Sequence, residues 1–261
     1  MKWMAVSTNT FRAVIRDKIL YNLLIFALVM IVGSILLSTL TIGERSKIII
    51  DFGLAGMNFF GVLMAIFLGI GLVSREIERK TLYTVLSKPI GRVEFLVGKY
   101  VGLLLTLALN MIIMGIVLYL TLAIEEIRWG LSIWEISPRL VLAMGMIYLQ
   151  LAMITAVALL FSTFTTTTLA AIFTLSIYII GHISSDLVAF GEKLPVKSTV
   201  FIMKAIYYIL PNLSNFDIKG LVVHNVPIPP SYFLMTFLYA ICYITLLMGI
   251  ASFVFNRRDL K

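Results

Sequence analysis

The sequence predicts an all-α integral membrane protein with six transmembrane helices, and three observations lead there. Of its 261 residues 61% are hydrophobic and only 13% are charged, against about 25% charged in an ordinary soluble domain. No soluble core hides that much apolar surface, so lipid must solvate most of it. The charges are also clustered, which leaves uncharged runs at 19–43, 52–74, 100–124 and 140–185. A helix needs about 20 apolar residues to cross a hydrocarbon layer of about 30 Å. Strands of a membrane barrel would instead alternate apolar and polar residues at short intervals, and these runs do not.

Each element follows in order. "TNTFRAVIRDKI" (8–19) places Phe11, Ile15 and Ile19 on one helical face with Arg12 and Arg16 beside it, the pattern of an interfacial helix. The first two spans cover about 19–42 and 52–74, and the third about 100–124. The uncharged stretch 140–185 is long enough for two crossings, at about 140–161 and 169–190. The polar "STFTTTT" (162–168) is the hairpin between them. "VKSTVFIMKAIYYIL" (196–210) is interrupted by Lys204 and stops at Pro211. Its length predicts a re-entrant or surface-lying helix on the outer side rather than a seventh span. The last span runs from about 231, after "PIPP", to 255. The chain reads as one transmembrane domain over 1–261, without an internal repeat or a cleavable leader.

Charge sets the orientation. With the amino terminus inside, thirteen of the 21 basic residues lie on inner segments together with only five acids, and the outer side is balanced. The whole net charge of +8 is then inside, as the positive-inside rule expects. Both termini are predicted to be cytoplasmic, in a bacterial or archaeal cytoplasmic membrane. A charge that topology accounts for no longer argues for nucleic acid.

The densest charge cluster lies in "GLVSREIERKTLYTVLSKP" (71–89), between two apolar segments. Ser74 has the side chain of a helix N-cap, and Glu76 and Glu78 suit the positive end of the helix it would start. Glu76 and Lys80 make an i,i+4 pair, Leu82, Tyr83 and Leu86 form an apolar side, and Pro89 ends the helix. A solvated loop that merely fixes topology is one reading. Topology needs only positive charge, however, and the interleaved acids oppose it, so mixed charges beside an apolar ridge point to a docking surface for a protein.

"SREIERKTLYTVLSKPIGRVEFLVGKYVG" (74–102) resembles the loop between the second and third spans in permease subunits of ABC-2 type transporters. The family's Glu-Arg-x-Thr core falls on Glu78, Arg79, Lys80 and Thr81, with Lys80 standing where glycine is common. The six spans, the basic amino-terminal helix and "LPNLSNFD" (210–217) in the last outer loop extend the likeness along the chain. It is closest to single-domain bacterial permeases, including those of nitrous-oxide-reductase maturation and sodium efflux. The resemblance implies an ABC-2, type V exporter-like fold in which the segment 74–99 carries a coupling helix. Glu76, Glu78, Arg79, Lys80 and Thr81, supported by Leu82, Tyr83 and Leu86, would then meet an ABC ATPase. It further implies two ATPase copies holding ATP and magnesium, a second permease subunit (the same chain or a different one), surrounding membrane lipid, and outward transport of an unidentified substrate. The alternatives are a secondary carrier and a non-transporting scaffold.

Other features are less specific. Gly61, Ala65 and Gly69 form a small-residue stripe at i, i+4, i+8, and Gly98 and Gly102 a further pair. Such stripes serve either packing within one chain or contact between two copies. Asp186, with His182, Ser184 and Ser185, reads as a wetted helix end or an intramembrane site, and Trp129 and Trp134 fit an outer aromatic belt. No G-x-x-x-x-G-K-[ST] occurs, so ATP phosphates have no cradle in this chain, which is read as non-catalytic. Two histidines without HExxH spacing and a single cysteine, Cys242, argue against a zinc site.

Overall fold

Unbroken helices are what a chain in lipid must form, because no water is present to bond exposed backbone N–H and C=O groups. The computed structural model describes residues 2–39, 45–78, 91–129, 137–191, 203–204, 207–224 and 226–257. Among these the regular structure is helical, with no strand: α1 (Lys2–Ile15), α2 (Lys18–Thr39), α3 (Arg45–Glu78), α4 (Arg92–Trp129), α5 (Ser137–Ser162) and α6 (Thr167–Gly191). A 3₁₀ turn (Ser214–Phe216), the short α7 (Lys219–Val223) and α8 (Pro230–Arg257) complete it. Six of them, α2 to α6 and α8, are long and apolar enough to cross a membrane. We call the end of the bundle that holds Arg92 and Arg257 proximal, and the end that holds Ser137 and Pro230 distal.

α3 and α5 form the centre. In their most apolar windows 72% and 67% of residues are buried within the protein, against 22% in α2, α6 and α8, which leave most of their surface uncovered by the rest of the chain. The two central helices run parallel and approach closely through the small-residue stripe. A Cβ on Gly61 would lie 2.7 Å from Leu151 Cδ1, and one on Gly69 would lie 3.0 Å from Ala158 Cβ. Ala65 between them is fully buried. Lipid tails offer no hydrophobic drive between helices, so such close contact supplies the attraction. The stripe is thus occupied inside one chain.

Polar side chains in the spans are largely bonded where they stand. Thr106, Thr121, Thr155 and Thr174 return their hydroxyls to the carbonyl four residues back. Two tyrosines fasten α4 to α5 reciprocally: Tyr100 donates to the Ala152 carbonyl and Tyr148 to the Leu104 carbonyl, each at 3.1 Å. The α5–α6 turn falls in the polar hairpin stretch. There Ser162, Thr163 and Thr165 bond the last carbonyls of α5, at Leu159, Leu160 and Phe161.

Two local expectations are corrected. The amino-terminal helix is α1, at Lys2–Ile15, not a single helix over 8–19. The chain turns at Arg16 because Asp17 accepts the Ile19 N–H at 2.9 Å and so starts α2 instead of continuing α1. The face that α1 buries is Val6, Ser7, Thr10 and Val14, while Phe11 and Ile15 are half-buried and Arg12 and Arg16 exposed. Ser74, expected to begin a separate helix, instead lies inside α3, which runs unbroken to Glu78. Serine is only mildly unfavourable within a helix, too little to stop one already about eight turns long.

α1 rests on α4, where Gly98 and Gly102 let the two backbones meet. A Cβ at Gly98 would stand 2.8 Å from the Trp3 carbonyl oxygen, and one at Gly102 would stand 2.7 Å from that of Ser7. Backbone atoms yield poorly to such an intrusion. Gly102→Ala should therefore destabilise the protein by about 1–3 kcal/mol through overpacking, read as a lower Tm of the detergent-solubilised chain. Gly145→Ala, where a Cβ meets nothing within 4 Å, should leave Tm unchanged or raise it.

Candidate functional site

Two places in this bundle depart from plain helix packing, one at each end. At the proximal end the charged segment is framed by α3 and α4. Glu76 and Glu78 lie in the last turn of α3, so this helix carries their backbone directly out of the central pair. Arg79, Lys80, Thr81, Leu82, Tyr83 and Leu86 lie outside the described residues. The chain is described again from Gly91, which caps α4. Its carbonyl accepts the Phe95 N–H at 2.9 Å, the first bond of the helix, and its own N–H donates to Glu94 Oε2 at 3.2 Å, the glutamate half of a capping box.

Arg92, the first residue of α4, reaches the end of α8. One guanidinium nitrogen donates to the Phe255 carbonyl at 3.1 Å and to the Asn256 carbonyl at 2.9 Å. Carbonyls of a last helical turn have no partner within the helix, and the negative end of the helix dipole favours a cation there. Phe95 stacks on Phe255 at 6.2 Å beneath that contact. Lys99 is buried one turn on, its ammonium 5.3 Å from the Phe95 ring. The exit of the charged segment is therefore tied to α8.

The distal end holds a stretch of irregular backbone. Residues 207–209 are helical, and the chain then leaves the helix, passes Pro211–Leu213, makes the 3₁₀ turn and returns through α7. It runs deep. The Leu213 N–H donates to the Gly181 carbonyl at 2.9 Å, and Gly181 lies ten residues, about 15 Å, from the distal end of α6. A Cβ at Gly181 would stand 2.6 Å from the Pro211 carbonyl oxygen, so only glycine admits the loop so close to the helix.

What satisfies this backbone is a ladder of tyrosines on α8. Tyr232, Tyr239 and Tyr243 are spaced by seven and four residues, which places them on one helical face. Tyr232 donates to the Asn215 carbonyl at 2.8 Å, the Tyr239 hydroxyl accepts the Asn212 N–H at 2.8 Å, and Tyr243 donates to the Ile209 carbonyl. The contacts descend in antiparallel order, 215, 212, 209 against 232, 239, 243. Within the segment Ser214 donates to Asn212 Oδ1 at 2.6 Å, and its hydroxyl also lies 2.8 Å from that of Ser185 on α6. Asp217 and Lys219 pair at 3.5 Å on the exposed side. Irregular backbone survives at membrane depth only where protein supplies its partners, and here α6 and α8 do so.

The other residues singled out from the sequence are scattered. His182 is half-buried with its ring 4.8 Å from that of Tyr178. Asp186 is exposed beside the half-buried Ser185 on α6, and Phe11, Arg12, Ile15 and Arg16 sit apart on α1. Trp129 ends α4, and Trp134 lies outside the described residues. Sequence reasoning missed the tyrosine ladder, although its spacing within one span was a visible signal. It also missed three buried amides near the middles of α3, α4 and α5. Asn58 on α3 donates to the Tyr178 hydroxyl at 3.5 Å and Asn110 on α4 to the Thr106 carbonyl at 2.8 Å. Asn58 Oδ1, Asn110 Oδ1 and the Gln150 Nε2 of α5 are buried without a partner, the kind of intramembrane polar group that defaults to a functional role.

Removing a ladder hydroxyl leaves a loop backbone group unbonded at membrane depth. Tyr239→Phe and Tyr243→Phe should each cost about 0.5–1.5 kcal/mol, seen as a lower Tm together with faster protease cleavage within 207–218 than in the parent.

A model of the family described as ABC-2 family transporter protein matches residues 4–260 of the chain. No curated protein matches it.

Proposed function

The chain belongs to the ABC-2 family of transporter proteins, a membrane permease component of an ABC transporter, and on that premise we propose how its parts work. Two permease subunits pair, each docked to a separate ABC ATPase that holds ATP and magnesium, and together they move a substrate outward. The proximal end is cytoplasmic, and the contact with the ATPase is made by Glu76, Glu78, Arg79, Lys80 and Thr81, with Leu82, Tyr83 and Leu86 beneath them.

The observation that carries this reading is the framing of the charged segment. α3 leads into it from the buried centre of the bundle and α4 leads out of it, fastened at Arg92 to the end of α8. A push on the segment between these helices therefore enters three spans at once. α8 in turn holds the distal re-entrant segment through its tyrosines. Closure of the ATPases would tilt α3 and α4 at the proximal end, and α8 would carry part of that motion to the distal side. A secondary carrier would be expected to break its helices near the midplane, whereas the six described spans are continuous.

The test is co-expression with an ABC ATPase from the same gene neighbourhood. Strong ATP turnover should require the ATPase, and hydrolysis by the permease alone would sink the proposal. Within the complex, Glu78→Lys should insert normally, because it makes the inner segment more positive. It should nevertheless lose about tenfold in ATPase retention, since close interfacial charge pairs couple by about 1.5 kcal/mol at the low end of their range. Lys80→Gly should be milder. Wild-type retention and stimulated hydrolysis in Glu78→Lys would return that residue to a topological role.

A further inference from the structure

A cavity of about 210 Å³ opens at the distal end between α5, α8 and the return of the re-entrant segment. Its walls are apolar, with Leu142 from α5, Val222, Pro227 and Ile228 from the return and Phe233 from α8. Among the described residues Arg139 is the only charged one lining it. Arg139 stands in the first turn of α5 and Phe233 in the first turn of α8. The cavity therefore lies where two spans enter the membrane, at the level of lipid headgroups.

Its size decides what it can hold. Sites that enclose a whole drug-sized ligand measure about 300–1,000 Å³, so a complete molecule of that size does not fit. A headgroup does, provided its tails lie outside in the bilayer. The surface beside the cavity offers such a path, because Leu142 is 44% exposed and Phe237, one turn below Phe233, is equally so. A guanidinium beside apolar walls matches a phosphate on an acyl-bearing molecule, since its planar fork bonds phosphate oxygens in pairs and is more weakly hydrated than an ammonium. Arg139 has other contacts within the chain, and five N–H donors allow it to keep them while it holds a phosphate.

We propose that this cavity is a binding site for the phosphate headgroup of a phospholipid in the distal leaflet, with Arg139 as its anchor and the acyl chains running past Leu142 and Phe237. The lipid would brace the return of the re-entrant segment, whose Val222, Pro227 and Ile228 form one wall. This site depends only on the protein lying in a membrane, not on the transport cycle proposed above.

The experiment uses the full-length protein in detergent, with native mass spectrometry to follow binding of dioleoylphosphatidic acid, dioleoylglycerol and inorganic phosphate. Phosphatidic acid should bind at least about tenfold more tightly than either of the others, because only it supplies both parts. Arg139→Gln should lower its affinity about tenfold, the loss of one charge-assisted contact. Leu142→Trp, at a half-exposed position that tolerates bulk, should do the same by filling the cavity, and it carries the test should Arg139→Gln not fold. Arg128→Gln, which changes another distal cation outside the cavity, should bind as the parent does. Unchanged affinity in both cavity variants, an equal loss in Arg128→Gln, or dioleoylglycerol or inorganic phosphate bound as well as phosphatidic acid would overturn the site.

Discussion

A backbone amide inside a bilayer has no water to turn to, and most of this structure answers that fact. In the six spans the answer is the helix itself. At irregular places other groups must step in, and the structure spends specific side chains on each. Serine and threonine hydroxyls take the last carbonyls of α5 at its turn into α6. Arg92 takes two carbonyls at the end of α8. Three tyrosine hydroxyls and the Gly181 carbonyl serve the loop that dips between α6 and α8. Each bond adds only about 1 kcal/mol net, but the alternative is an unbonded group in hydrocarbon, costing several.

The same economy links the two ends of the molecule. α8 leaves as much of its surface uncovered by the chain as α2 and α6 do, so packing alone would anchor it only loosely. It is instead fixed at its proximal tip by Arg92 and the Phe95–Phe255 stack, and along its distal half by the loop from Ile209 to Asn215. The helix is thus positioned by polar contacts at places where helix ends or loops need partners. The centre of the bundle is held differently, by glycine and alanine at closest approach between α3 and α5. Conformational change that preserves these contacts would move α3 with α5, and α8 with both α4 and the loop.

How much of this was legible beforehand follows from which forces act over long stretches. The six spans could be read from the sequence because each rests on some twenty residues of like character, too many for any single contact to override. Helix boundaries depend on one or two side chains. Asp17 therefore moved the end of α1, and α3 ran through Ser74 although serine often starts a helix. Lys204 and Pro211 predict a re-entrant or surface-lying helix over 196–210, of which 196–202 and 205–206 lie outside the described residues, and nothing local says how deep the following "LPNLSNFD" goes. That depth is set by pairing with Gly181 and with tyrosines about 17 to 34 residues later in the chain. Such partners show no periodicity with the loop they serve. Attention to charged residues also hid Asn58, Asn110 and Gln150, whose amides are as conspicuous in lipid as a charge is in a core. The coupling role proposed for Arg79 to Leu86, which lie outside the described residues, draws on resemblance, since mixed charge beside an apolar ridge points to a protein partner without naming it.

The most direct measurement of a protein-held re-entrant segment is amide hydrogen exchange of the intact chain in lipid nanodiscs, followed across 209–218. With its N–H and C=O groups bonded to α6 and α8 below the distal surface, the amides of Asn212 and Leu213 should exchange nearly as slowly as those of α8 between Tyr239 and Leu247. Exchange within the shortest labelling time, at the rate of a solvated loop, would contradict it.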